Sequence, residues 1–228
     1  MKLTRQELAK MIDHTLIKPT ATKNEVKQLC REAKKYGFKC AVINPYFVTL
    51  AHNELKTSNV KVCSTIGFPM GATLPEIKAE EARKAVEFGA QELDMVMNIS
   101  AFKSGDYEAT QKDIEAVVDV KHLNPNTIVK VIIETGFLTD REKSLVCRLV
   151  KESKADFVKT STGLFSGGAT VEDIKLMRRI VGKEIGVKAA GGMRTLKDTL
   201  AMIEAGANRI GTSTAIKIIE EMPKKQAS

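Results

Sequence analysis

Short runs rich in β-branched residues recur along this chain, each followed by a longer stretch with helical spacing. That alternation constrains the fold more than any other feature. The runs span Ile12–Ile17, Lys39–Ile43, Val60–Ile66, Glu92–Met97, Ile128–Glu134, Asp156–Thr160, Gly186–Ala190 and Arg209–Gly211. Between them, apolar residues share helix faces: Ile114 with Val117 and Val118, Leu145 with Leu149 and Val150, Leu196 with Leu200 and Ile203. Helix starts are marked by Thr followed three residues later by an acid, whose side chains satisfy the free N–H groups of a first turn. The pairs are Thr4/Glu7, Thr22/Glu25, Thr73/Glu76, Thr139/Glu142, Thr170/Asp173 and Thr195/Asp198. Gly37, Gly89, Gly182 and Gly206 supply helix stops.

Eight strands alternating with helices in 228 residues predict one (β/α)8 barrel domain over residues 1–228. Met1–Lys10 is expected as an extra N-terminal helix across the lower mouth, and the residues after about 221 as a short polar tail. A doubly wound open sheet is the alternative, but its glycine-rich G-x-G-x-x-G turn is absent. No apolar run is long enough to span a membrane, and the first ten residues lack the apolar core of a secretory signal, so a cytoplasmic location is expected. Cys30, Cys40, Cys63 and Cys147 form no C-x-x-C pair, and His14, His52 and His122 are scattered. Neither a metal site nor a redox motif is expected. The net charge is +8, but basic and acidic residues are interspersed, so nucleic acid is not an expected partner. A basic surface suits an anionic small substrate.

Barrel strands are buried on both faces and should read as apolar. Asp94, Lys130, Lys159 and Lys188 break that rule in the fourth to seventh runs. An unpaired buried charge costs several kcal/mol or more, so each needs a partner or a task. Lys39 and Lys61 open their strands and are read as exposed starts. Lys159 and Lys188 come late in theirs and precede glycine-rich loops, where barrel chemistry is carried. Lys130 divides between a task and holding Glu134 or Asp94 in place. Two lysines and an aspartate in one barrel suit amine catalysis: burial and a second cation both favour the neutral, nucleophilic amine, and a carboxylate moves protons. This points to a Schiff-base lyase without saying which lysine forms the imine.

The last three loops read Ser161-Thr162-Gly163-Leu164-Phe165-Ser166-Gly167-Gly168, Gly191-Gly192-Met193-Arg194 and Gly211-Thr212-Ser213-Thr214. Glycines let backbone N–H groups approach an anion, and barrels often place phosphate after strands seven and eight. No Walker-type G-x-x-x-x-G-K-[ST] motif is present, which argues against nucleoside triphosphate hydrolysis. A transaldolase-like enzyme, a barrel isomerase and a nucleic-acid-binding protein are the rival readings.

Several motifs in order resemble the deoxyribose-phosphate aldolase family. They are Ile12-Asp13-His14-Thr15, Gly67-Phe68-Pro69, Glu92 to Asn98, Lys130 to Thr135, Val158 to Gly163, Val187 to Gly192 and Arg209 to Ser213, and the resemblance runs from about Met11 to about Glu220. It implies a class I aldolase of deoxynucleoside breakdown. Such an enzyme cleaves 2-deoxy-D-ribose 5-phosphate reversibly to D-glyceraldehyde 3-phosphate and acetaldehyde, with no cofactor and no metal. By the same resemblance, Lys159 would form the imine, Lys188 would depress its pKa, and Asp94 would share in proton transfer through water. Lys130 would be a supporting cation near Asp94, Asp13 a polar contact on the first strand, and Thr162 a further supporting residue. Gly163, Gly191, Gly192, Gly211, Ser213 and Thr214 would line a phosphate pocket, and a homodimer or homotetramer is implied. Two positions depart from the pattern. Some members end in a tyrosine that assists proton transfer, whereas the last tyrosine here is Tyr107; some carry a lysine where Leu164 stands.

Overall fold

The computed structural model describes residues 3–165 and 167–223; most of the expected polar tail, the first two residues of the expected N-terminal helix and Ser166 lie outside the described residues. The strands are β1 (Ile12–Leu16), β2 (Cys40–Ile43), β3 (Lys61–Ile66), β4 (Glu92–Val96), β5 (Ile128–Ile132), β6 (Phe157–Lys159), β7 (Gly186–Ala190) and β8 (Arg209–Thr212). All eight pair in parallel in chain order, and β8 returns to β1 with Asp13 opposite Gly211, closing the barrel. Every expected strand is therefore found, with ends trimmed by one or two residues at most positions.

The helices are α1 (Arg5–Ala9), α2 (Lys23–Tyr36), α3 (Val48–Leu55), α4 (Pro75–Glu87), α5 (Ile99–Lys103), α6 (Tyr107–Val118), α7 (Asp140–Glu152), α8 (Val171–Val181), α9 (Leu196–Glu204) and α10 (Ala215–Glu220). Five of the six Thr-acid pairs cap a helix as expected, with the Thr oxygen accepting the N–H of the acid three residues on. The exception is Thr73/Glu76. Helix α4 starts instead at Pro75, behind Leu74, because proline at the first helical position carries a suitable φ and lacks the N–H that a cap would serve. The extra N-terminal helix is shorter than expected, five residues ending just before β1.

Strand residues alternate between two environments. Leu93 and Met95 on β4, Val129 and Val131 on β5, and Val187 and Ala189 on β7 join a continuous apolar core with the inner faces of the helices. Each of these side chains larger than alanine contributes roughly 1.5–3 kcal/mol by leaving water. The residues between them, Glu92, Asp94, Lys130 and Lys188, turn into the barrel, where the apolar packing shrinks to a small cluster of Cys40, Val42 and Cys63. The end of β4 is clamped from outside. Lys78 of α4 is fully buried, donates to the Val96 carbonyl at 2.9 Å and pairs with Asp113 of α6 at 2.7 Å. Asp113 in turn accepts the Asn98 N–H at 2.8 Å.

Candidate active site

The barrel interior gathers the charges that the strand pattern could not explain as packing. Asp94 stands at its centre with no exposed surface. Its Oδ1 accepts from Lys130 Nζ at 2.8 Å and from the Cys63 thiol at 3.3 Å. Its Oδ2 accepts from Lys159 Nζ and Lys188 Nζ, each at 2.7 Å. Lys188 also donates to Asp13 Oδ2. Below them Arg209 Nη1 reaches Asp13 Oδ1 and Glu92 Oε2, both at 2.8 Å, and Lys130 pairs with Glu92 at 2.8 Å. Lys130 thus holds Asp94 and Glu92, not Glu134.

Electrostatics separate Lys159 from Lys188. The cluster contains three carboxylates (Asp13, Glu92 and Asp94) and four basic side chains (Lys130, Lys159, Lys188 and Arg209). Three permanent cations already balance three anions, so the fourth basic group is the one that water-free surroundings drive towards neutrality. Lys159 is that group. Burial is the largest influence on it, and the Lys188 charge adds to burial; Asp94 opposes them, yet its pKa lies below the ordinary lysine value. Burial also weighs against the Lys188 ammonium, but Asp13 and Asp94 together overcome it and hold that pKa above the ordinary value. Burial weighs against the Lys130 ammonium too, but Asp94 and Glu92 hold its pKa well above the ordinary value. Burial opposes ionisation of Asp94, but Lys130, Lys159 and Lys188 keep its carboxyl well below the usual carboxylate range.

Lys159 ends β6, as a residue late in its strand should, whereas Lys188 lies in the middle of β7. Lys159 alone of the pair lines the cavity above, of about 390 Å3, at the C-terminal mouth of the barrel. Gly163, Gly191, Gly192, Gly211, Ser213 and Thr214 all line that cavity, as does Thr162. Gly191 has φ +90°, and a Cβ at Gly211 would lie 3.0 Å from Ala190 Cβ and 3.1 Å from Lys188 Cε, so these two positions disfavour larger residues for different reasons. Thr214 is less free than the rest: its N–H donates to Thr212 Oγ1 and its hydroxyl to the Met193 carbonyl, at 3.0 and 3.1 Å.

Four side chains of this machinery escape a reading of the strand pattern as catalytic: Glu92, Arg209, Cys63 and Glu134. Glu134 takes up φ +51°, a left-handed conformation that costs a non-glycine residue about 1–2 kcal/mol. There its carboxylate accepts the Thr162 N–H at 2.9 Å and fixes the loop that follows Lys159. Asp13, Cys40 and Glu92 bring donor atoms close enough to suggest a metal site. Arg209 already bonds Asp13 and Glu92 and lies 3.4 Å from the Cys40 sulfur, and Lys130 holds Glu92, so an added divalent cation would meet two fixed positive charges.

Known proteins resemble this one along nearly the whole chain. The family description "DeoC/LacD family aldolase" matches residues 8–220. A deoxyribose-phosphate aldolase of Thermoanaerobacter sp. is 58% identical over 221 residues, covering 97% of this chain and 99% of that protein. One from Thermococcus gammatolerans is 59% identical over 216 residues, covering 94% and 96%. Among solved structures, the tetrameric deoxyribose phosphate aldolase of Aeropyrum pernix superposes with a TM-score of 0.90 at 36% identity, over 96% of this chain and 92% of that one. With a lysine of lowered pKa opening from a charge-balanced barrel into a glycine-lined cavity, and with this likeness along its length, the chain belongs to the DeoC/LacD family of aldolases.

Proposed function

We propose that this aldolase cleaves 2-deoxy-D-ribose 5-phosphate to D-glyceraldehyde 3-phosphate and acetaldehyde, reversibly, through an imine on Lys159. One observation carries the reading: Lys159 is the basic group that the buried charge balance leaves towards neutral, and it alone of the interior lysines lines the cavity. The neutral amine adds to C1 of the open-chain sugar, and loss of water gives the iminium. The iminium withdraws the electrons of the C2–C3 bond while the C3 hydroxyl loses its proton, releasing the phosphorylated aldehyde. The enamine left on Lys159 takes a proton at C2, and water returns the amine and acetaldehyde. Asp94 and Lys188 serve as the proton relay through water, and the Asp94 anion steadies the iminium. Lys130 and Asp13 hold that relay in place, and Thr162 supports the loop behind Lys159.

The glycines at 163, 191, 192 and 211, with Ser213 and Thr214, take the phosphate. Backbone N–H groups there, near the start of α9, suit an anion. The reading includes a place in the cytoplasm, consistent with four free buried cysteines and, among the described residues, no helix long and apolar enough to cross a membrane. It also includes a homodimer or homotetramer. Incubation with 2-deoxyribose 5-phosphate, followed by enzymatic detection of both aldehydes, tests the function: both should appear in equal amounts, and no cleavage would refute it.

A further inference from the structure

The cavity that opens above Lys159 is lined by no acidic side chain among the described residues, and its cationic ones are Lys18, Lys159 and Arg194. Lys159 is tied to Asp94 at the base. Lys18 lies two residues past the end of β1, and Thr15, Leu16 and Ile17 before it line the same space. Since β1 pairs with β8, with His14 opposite Thr212, the chain at Lys18 leaves the barrel beside the loop that bears Ser213. The Lys18 ammonium lies 2.5 Å from Glu25 Oε1, with the two side chains 49% and 41% exposed, so water competes for both. An exposed pair of this kind contributes little, and a phosphate dianion is the stronger partner for the ammonium. Glu25 has a separate anchor: its Oε2 accepts from the Thr22 N–H at 2.8 Å and the Thr22 hydroxyl at 2.9 Å, closing the capping box of α2. The carboxylate is therefore fixed and the lysine is the member free to move.

We propose that Lys18 is a specificity-determining residue for the phosphate end of the substrate, held in reserve by Glu25 and transferred to the phosphate when the sugar enters. The inference rests on the proposed sugar-phosphate reading and goes beyond it by naming a cation outside the glycine loops. The glycine loops supply neutral N–H donors and a single cation, Arg194, which leaves part of the dianion charge for a second cation on the same cavity wall.

Steady-state cleavage of 2-deoxyribose 5-phosphate and of unphosphorylated 2-deoxyribose tests it in the wild type, Lys18→Met, Lys18→Arg and Glu25→Gln. Lys18→Met should raise KM for the phosphorylated sugar by about ten- to a hundredfold, the size of one charge-assisted hydrogen bond, with kcat nearly kept. The loss for 2-deoxyribose should be far smaller. Lys18→Arg should recover most of the lost affinity. Glu25→Gln keeps a capping residue but releases the lysine, and should lower KM for the phosphorylated sugar. Equal losses for the two sugars, or no loss in Lys18→Met, overturn the proposal. Calorimetric titration with inorganic phosphate separates the two readings. A wild type that binds phosphate through Lys18 yet cleaves neither sugar refutes the function and keeps the site, and phosphate affinity unchanged in Lys18→Met refutes the site.

Discussion

The Nζ atoms of Lys159 and Lys188 lie at the same distance, 2.7 Å, from a single oxygen, Asp94 Oδ2. Two ammonium groups on one lone-pair-bearing atom repel each other, and the lysine with fewer carboxylate partners gives way. Lys188 has Asp13 as a second partner and Lys159 has none. The amine is therefore set before any substrate arrives, and the proposed assignment of the nucleophile rests on which lysine lacks a second acid.

That assignment has a direct chemical test. Incubation with acetaldehyde and borohydride should add a two-carbon group at Lys159, and peptide mapping reads the site. Lys159→Arg keeps a cation but forms no imine, and should lose at least about a thousandfold in kcat with an unchanged circular dichroism spectrum. A label on Lys188, or undiminished turnover by the arginine variant, would overturn the role.

The pH profile separates burial from charge repulsion as the cause of the lowered Lys159 pKa. Burial is the larger influence and remains in Lys188→Leu; the repulsion goes, and Asp94 Oδ2 is left to Lys159 alone. Both changes raise the Lys159 pKa. The acidic limb of kcat/KM should accordingly move to higher pH, with activity lost near neutrality and partly regained in alkaline buffer. An acidic limb that stays in place would mean that Lys188 serves proton transfer alone.

Replacing Ser213 by Asp puts a negative charge on the cavity wall, in the loop that follows β8. Cleavage of 2-deoxyribose 5-phosphate should fall about tenfold or more in kcat/KM, and cleavage of 2-deoxyribose far less. Comparable losses for both sugars would place the phosphate elsewhere.

Arg209→Met removes a buried cation from Asp13 and Glu92, and should destabilise the fold by about 3–5 kcal/mol at neutral pH. Despite burial, cationic neighbours including Arg209 hold both carboxyls below their usual range. A carboxyl depressed in the folded state contributes stability above its unfolded pKa and loses it as the pH falls towards its folded one. The gap between wild type and variant should thus narrow below about pH 4. Denaturant titrations at several pH values measure it; a constant gap would show that Arg209 contributes packing against Phe157, 5.2 Å from its ring centroid, and little charge.

The strands were legible because β-branched runs recur on a helical background, and Asp94, Lys159 and Lys188 because charge interrupts those runs. Arg209 escaped for a physical reason: it opens β8, and a charge at a strand start normally reaches water, as with the half-buried Lys39 and Lys61. In a closed barrel the first residue of a strand can instead face the interior, and Arg209 is 6% exposed. Glu92 carried a signal that was available, since it shares a strand face with Asp94 two residues on. The Lys78–Asp113 pair had none, because both residues lie in helices where a charge ordinarily faces solvent, and only the packing of α4 on α6 buries them.

The division of Asp94 between its two oxygens bears on how such an enzyme diversifies. Oδ1 is taken up by Lys130 and Cys63, and Oδ2 by the two lysines, so the electrical identity of the reaction centre is set within the barrel wall. The groups proposed to meet the rest of the substrate, Gly211 of β8 excepted, sit on loops beyond the strand ends and share none of those bonds. Aldehyde preference can therefore drift by loop replacement while the amine keeps its reactivity, and directed evolution for new carbon–carbon bonds should find its tolerated changes at the rim and its lethal ones in the wall.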